Sequence, residues 1–169
     1  LRPGIVCVSL NAWGGSGPWR GRRGFDSIVQ AVSGIAQASG DGVKPRLLPV
    51  SAIDYVSGYL MAFGAMVALE RRACEGGSWL VRVGLARSGK WIVDRGLAPA
   101  GSFEGLPEDL SEEELRPLLG ELDAPDGRIR YLRPVVALSE TPARWSRPPV
   151  PLGTHAPVWP QREERTKAW

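Results

Sequence analysis

The stretch Leu47-Leu-Pro-Val-Ser51-Ala-Ile-Asp54-Tyr-Val-Ser-Gly58-Tyr-Leu-Met-Ala62-Phe-Gly-Ala65-Met-Val-Ala-Leu69-Glu-Arg-Arg72-Ala73 decides how this chain is read. A short apolar run, Leu47 to Val50, leads into a lone carboxylate, Asp54. Tyr55, Val56, Tyr59, Leu60, Phe63, Val67 and Leu69 follow, apolar almost all round, which predicts a buried helix from Tyr55 to Ala73. Gly58, Ala62 and Ala65 recur at helical spacing and allow another backbone to come close. Charge returns only at Glu70-Arg71-Arg72, and Gly76-Gly77 breaks the pattern. Asp54 then has two readings. As an N-cap, its carboxylate accepts amide hydrogens of the first turn and contributes about 1 kcal/mol. As a reactive group, it is a nucleophile or base held by those amides and the helix dipole. Residue type alone favours the cap, and the two roles are compatible.

Upstream, Gly4 to Leu10 reads as a strand with two largely apolar faces, as in a covered parallel sheet. A glycine-rich loop, Asn11 to Gly24, follows. Its Gly14-Gly15-Ser16-Gly17-Pro18 sits between strand and helix as a phosphate loop does. The spacing is not G-x-G-x-x-G, however, and no Gly-Lys-Ser/Thr exists, so turn chemistry is the plainer reading. Asp26 reads as the N-cap of a helix over Ser27 to Gln37. Leu47 to Val50 reads as a short extended run.

Downstream, Trp79 to Val83 predicts a short strand and Ala86 to Arg95 a helix. Composition shifts at Ala98, where Gly and Pro make a linker to Pro107. Ser111 with Glu114 forms a capping-box pattern. Arg128 to Leu132 and Val135 to Leu138 read as strands, and Ser139 to Pro160 is Pro-rich without helical period. The last nine residues are mostly charged and expected to fray. Three parts result: residues 1–97, an appended region 98–138, and a Pro-rich, charged tail 139–169.

A chain of 169 residues, 43% hydrophobic and 23% charged, supports one core and a small appendage. It opens at Leu1 almost directly into a core strand, which suggests that a preceding part is missing. No run of 18 apolar residues and no signal pattern appear, so no membrane span is expected. Cys7 and Cys74 lie far apart in apolar surroundings and read as free, buried thiols of a reducing compartment, the cytoplasm. The single histidine, His155, lies in the Pro-rich tail and reads as a surface residue. Without a His/Cys cluster, no metal site is expected. The net charge of +3 is scattered, compatible with an anionic ligand. Aromatics do not interleave with the basic residues, so nucleic acid is not the expected partner.

Several of these pieces together resemble the class III CoA-transferases, the CaiB/BaiF family. One set is Gly4-Ile-Val-Cys-Val-Ser-Leu-Asn-Ala-Trp-Gly14, Gly17-Pro18, Arg23-Gly-Phe-Asp26 and Gln30-Ala-Val-Ser-Gly34. The second is Asp54-Tyr-Val-Ser-Gly58, Ala68-Leu-Glu-Arg-Arg72 and Gly76. The ending, Glu140-Thr-Pro-Ala-Arg-Trp145 and Pro151-Leu-Gly-Thr-His-Ala-Pro-Val-Trp159, is similar to the tail of a longer, two-part subgroup. The resemblance implies a partial α/β Rossmann-like fold, with residues 1–97 part of its large domain. It implies CoA transfer between carboxylic acids with Asp54 as the catalytic aspartate, passing through aspartyl anhydride and aspartyl-CoA thioester. It implies acyl-CoA and an acceptor acid as substrates, with no permanently bound cofactor. It also implies an interlocked homodimer, or an equivalent pairing within one chain. Arg23 falls at a basic position of the transferase loop and is the one CoA-binding residue carried over.

Racemases of the same family read Gly-His-Asp where this chain has Gly24-Phe25-Asp26. Phe25 carries no transferable proton, which argues against epimerisation at the α-carbon. A third reading makes this chain a non-catalytic scaffold half with Asp54 only a cap. The part of the family that supplies most CoA contacts is not in this sequence, so residues 1–169 alone are expected to be inactive.

Overall fold

The computed structural model of the protein describes residues 3–96, 98, 102, 105–107 and 109–158. Strand β1 (Val6–Asn11) pairs in parallel with β2 (Trp79–Gly84), Val6 opposite Trp79 and Asn11 opposite Gly84. A parallel pair requires a long crossover. Here it holds the glycine-rich loop and helices α1 (Asp26–Val32), α2 (Ile35–Ala38) and α3 (Ala52–Glu75). Helix α4 (Leu85–Val93) follows β2 without a linker. Helix α3 packs on β1, β2 and α4. Ala12, Val29, Ile35, Ile53 and Leu85 form the buried core between these elements, with Trp13, Leu48, Ala86 and Ile92 packed against it. The arrangement is mixed helix and sheet, consistent with the α/β class that the resemblance implies.

These elements belong to the first of two units, Leu1–Ser102; the second is Phe103–Trp169. The second unit opens with α5 (Glu112–Leu115), held by the expected capping box: the Ser111 hydroxyl accepts the Glu114 amide, and the Glu114 carboxylate accepts the Ser111 amide. Strands β3 (Leu119–Ala124) and β4 (Gly127–Leu132) then form an antiparallel hairpin closed by Pro125-Asp126.

Several expectations are corrected. The helix over Ser27 to Gln37 is two helices, because Gly34 adopts φ 85°, a conformation glycine takes readily, and restarts the chain as α2. Leu47–Val50 and Val135–Leu138 form no strand; β4 pairs instead with the unforeseen β3. Cys74 is exposed and Cys7 half-buried, so neither thiol is sequestered, although both are free. Strand β1 is half-buried over Val6–Val8 and exposed over Ser9–Asn11, so the expectation of two covered faces is not met within this chain. The expected fraying of residues 161–169 lies outside the described residues.

Helix α3 differs most from its reading. It is not buried: Tyr55, Tyr59, Phe63 and Met66 lie along one stripe and each exposes more than half of its surface. The inward face carries the small or compact residues Ile53, Ser57, Gly64 and Ala68. A Cβ on Gly64 would stand 2.6 Å from Cγ1 of Val81, so glycine lets α3 sit close on β2. The close approach thus occurs at Gly64 and not at Gly58, where a Cβ would meet nothing within 4 Å. By length and composition α3 also meets the measure of a membrane span, with 24 residues and a mean hydropathy of 1.5 over its most apolar window. The sequence has no unbroken run of 18 apolar residues, and α3 meets the measure by its length and average hydropathy alone.

Candidate functional site

The first turn of α3 is held from another helix. Ser51, the residue preceding α3, makes no side-chain capping bond. Asp26, the first residue of α1, supplies the cap: its Oδ2 accepts the amide of Ile53 at 2.9 Å and that of Asp54 at 3.1 Å. Its Oδ1 accepts a hydrogen bond from Nε2 of Gln30, one helical turn along. Asp26 is 6% exposed and Gln30 2%. Gln30 also donates to the carbonyl of Val50 at 3.3 Å and accepts the amide of Leu48 at 2.8 Å. These bonds tie the irregular segment before α3 to α1. Both capping expectations are thereby corrected. Asp26 does not cap its own helix, which has no side-chain cap at Phe25, and Asp54 does not cap α3. The reason is geometric: α1 brings a buried carboxylate to amides that the local chain leaves open, and a helix start carries several such amides.

Below this turn the packing stays polar but satisfied. The Ser57 hydroxyl donates to that of Ser88 on α4 at 2.7 Å, and Ser88 reaches the carbonyl of Gly84 at 3.4 Å. A Cβ at Gly89 would lie 3.2 Å from Cδ1 of Ile53, so glycine there makes room for the side chain that anchors the turn. Among the described residues no buried side-chain polar atom lacks a partner.

Asp54 itself occupies the third position of α3, and its side chain is exposed. Its carboxylate lines an open cleft of about 620 Å³ with Ser51, Tyr55, Gly58, Tyr59 and Ala62. Partial desolvation by the cleft walls, and then the negative charge of Asp26, push its pKa above the ordinary carboxylate value. A carboxylate that is unused by the cap, raised in basicity and open to an incoming ligand is chemically suited to attack an electrophilic carbonyl.

Arg23 is exposed at the end of the glycine-rich loop and does not line the Asp54 cleft. The loop folds back on its own start. Nε1 of Trp13 donates to the carbonyl of Arg23 at 3.1 Å, and Gly24 lies so near Ala12 that a Cβ would stand 2.5 Å from its methyl group. Phe25 is exposed, and so is His155 in the tail. Sequence reasoning missed Gln30 as a structural group and the true partner of Asp26. The available signal was a carboxylate and an amide four residues apart in a helix otherwise patterned for the core.

Residues 1–116 match the family profile described as CoA-transferase family III. The chain belongs to this family. Among curated relatives, succinyl-CoA–D-citramalate CoA-transferase of Chloroflexus aurantiacus is 33% identical over 86 residues, covering 50% of this chain and 21% of that protein. A probable fatty acyl-CoA transferase of Mycobacterium tuberculosis is 32% identical over 85 residues, covering 49% and 21%. Acetyl-CoA:oxalate CoA-transferase of Acetobacter aceti is 35% identical over 78 residues, covering 45% and 20%. The chain therefore spans about a fifth of the length of the curated relatives it matches. Among solved structures, a CaiB/BaiF family protein from Brucella suis shares the fold with a TM-score of 0.52 at 21% identity, over 75% of this chain and 34% of that one. A hypothetical protein from M. tuberculosis gives a TM-score of 0.51 at 27% identity, over 54% and 27%. The family III match ends before the β3–β4 hairpin, which lies outside it.

Proposed function

We propose that the native protein carrying this chain is an acyl-CoA:carboxylate CoA-transferase with Asp54 as its nucleophile. One observation carries the reading: the cap of α3 is supplied by Asp26, which leaves the Asp54 carboxylate free beside an open cleft. A carboxylate needed only as a cap would be bonded to the first-turn amides, and this one is not.

The steps balance without an outside reagent. An Asp54 oxygen attacks the thioester carbonyl of acyl-CoA, and CoA thiolate leaves, giving a mixed anhydride. The thiolate then attacks the Asp54 carbonyl of that anhydride, and the donor acid leaves as its carboxylate. The resulting aspartyl-CoA thioester is attacked by the acceptor carboxylate, which again releases CoA thiolate and forms a second anhydride. Thiolate attack on the acceptor carbonyl gives the new acyl-CoA and regenerates Asp54. Dividing one transfer into reversible acyl exchanges lowers each barrier. Acyl-CoA is substrate in this scheme, and no permanently bound cofactor takes part. Arg23 is read as a CoA contact because it falls at a basic position of the transferase loop, and its exposure leaves it accessible to a ligand.

The finer expectations stand with this proposal. The helix-bearing crossover and the parallel β1–β2 pair that it joins support a Rossmann-like large domain. The exposed stripe of Tyr55, Tyr59, Phe63 and Met66 supports a working form in which α3 is covered, as in a homodimer or an intrachain equivalent. Phe25 excludes itself as a proton carrier, so 2-methylacyl-CoA incubated with the protein in D2O is expected to gain no α-deuterium.

The test is Asp54→Asn in the native full-length protein. We expect CoA transfer to fall by at least about 10³-fold with folding intact. Full activity in that variant would remove the nucleophile from the mechanism.

A further inference from the structure

Asp26 is buried and plays no part in the acyl exchanges above. Burying a carboxylate is costly unless donors surround it. Three N–H groups do so here, and two of them are the main-chain amides of Ile53 and of Asp54 itself. The donor side chain, Gln30, is anchored in turn to Leu48 and Val50. An ordinary cap is the residue just before its helix. This one comes from a different helix, 28 residues earlier in the chain than Asp54. The contact therefore does two things that a local cap does not. It fixes the backbone of the candidate nucleophile to α1, so that only side-chain torsions remain to be set. It also places a second negative charge beside the Asp54 carboxylate. Among the described residues Asp26 is the charge that acts on Asp54, and the phenols of Tyr55 and Tyr59 are the other ionisable groups lining the cleft.

We propose that Asp26 is a positioning residue for Asp54, fixing the main chain of the nucleophile from α1 and holding a fixed negative charge beside it. The role rests on Asp54 being the nucleophile. Two consequences follow from chemistry. A misplaced nucleophile loses rate steeply, with an error of about 1 Å able to cost about 10²-fold. A neighbouring negative charge makes a carboxylate harder to ionise and more basic once ionised. Desolvation and the Asp26 charge act on Asp54 in the same direction.

The test uses the native full-length protein and two neutral variants, Asp26→Asn and Asp26→Ser, with Gln30→Met as a comparison. Asn keeps an oxygen for the two amides, and Ser is the smaller alternative should the Asn amide and that of Gln30 prove incompatible. CoA transfer is followed against pH, with thermal melting alongside. In the neutral variants transfer falls by about tenfold or more. The acid limb of kcat/KM also moves to lower pH, because removing the neighbouring charge lets Asp54 ionise more easily. Gln30→Met disturbs the same buried junction but leaves the charge in place. It lowers the melting temperature and leaves the acid limb where it is. An Asp26 of merely structural importance lowers melting in all three variants and moves the acid limb in none, which overturns the proposal. Asp54→Asn separates the two ideas. If it is inactive while the acid limb stays put in the Asp26 variants, the nucleophile stands and the positioning role falls. If it is fully active, the nucleophile falls and the positioning role with it.

Discussion

The first turn of α3 and the stripe that follows it share one helix but are built on different plans. At the turn, Ile53 and Ser57 are buried, the amides of Ile53 and Asp54 meet a partner from α1, and the Ser57 hydroxyl meets one from α4. Along the stripe, Tyr55, Tyr59, Phe63 and Met66 are large, apolar and exposed, with Gly58 and Ala62 beside them. Hydropathy alone would place Phe63 and Met66 inside together with Ile53, and would leave Ser57 outside. Within this chain Ser57 is buried while Phe63 and Met66 stay exposed, because close packing on β2 and α4 selects small or compact residues and leaves the bulky side chains on the outer face. Burial here follows fit and hydrogen-bond satisfaction more than apolarity.

The sharpest way to break this contrast is to compare the two carboxylates. Asp26→Ala leaves the amides of Ile53 and Asp54 and the side chain of Gln30 without their acceptor. Each hydrogen bond to a charged group is worth about 1.5–3 kcal/mol, so we expect a loss of about 3 kcal/mol or more in chemical denaturation. Asp54→Ala touches no such network, and its stability is expected to stay within about 0.5 kcal/mol of the parent. Equal losses from the two substitutions would erase the distinction between cap and free carboxylate.

The glycines give a second, smaller contrast. Gly64→Ala forces a methyl against Val81, and overpacking of this kind costs about 1–3 kcal/mol, only partly offset by the better helix propensity of alanine. Gly58→Ala faces open space and should stabilise the helix by about 0.5–1 kcal/mol. Thermal melts of the two variants should therefore shift in opposite directions. The smallest expected effect belongs to the hydroxyl pair. Ser57→Ala and Ser88→Ala each cost about 1 kcal/mol, and the double variant costs less than their sum, because the single variants leave one hydroxyl without its partner. Strict additivity would mean that this contact contributes nothing of its own.

The parts of the fold that depend on neighbours in sequence were legible. The two strands of the parallel pair, α4 and the Ser111–Glu114 capping box each follow from periodicity or cap chemistry within a few residues. The family, too, could be recognised from its spaced motifs, and the match over residues 1–116 bears that out. What was not legible depends on distance. Strand β3 carries Gly120, Glu121 and Asp123, which dilute the alternating pattern, and its turn, Pro125-Asp126, only becomes a strand signal once β4 is known to fold back on it. The role of Asp26 was hidden for the same reason. Every local cue marked it as the cap of its own helix, and nothing within a few residues reveals that the amides it binds lie at positions 53 and 54. The candidate site was thus half visible: the Asp54 carboxylate and its helix could be seen, but not the group that frees it.

The central claim, that Asp54 and not Asp26 is the acylated group, can be read directly from the covalent intermediate. The native full-length protein is incubated with acyl-CoA in the presence of hydroxylamine, digested, and its peptides mapped by mass spectrometry. The account predicts a hydroxamate on Asp54 and an unmodified Asp26. A hydroxamate on Asp26, or turnover that leaves Asp54 unmodified, would contradict it.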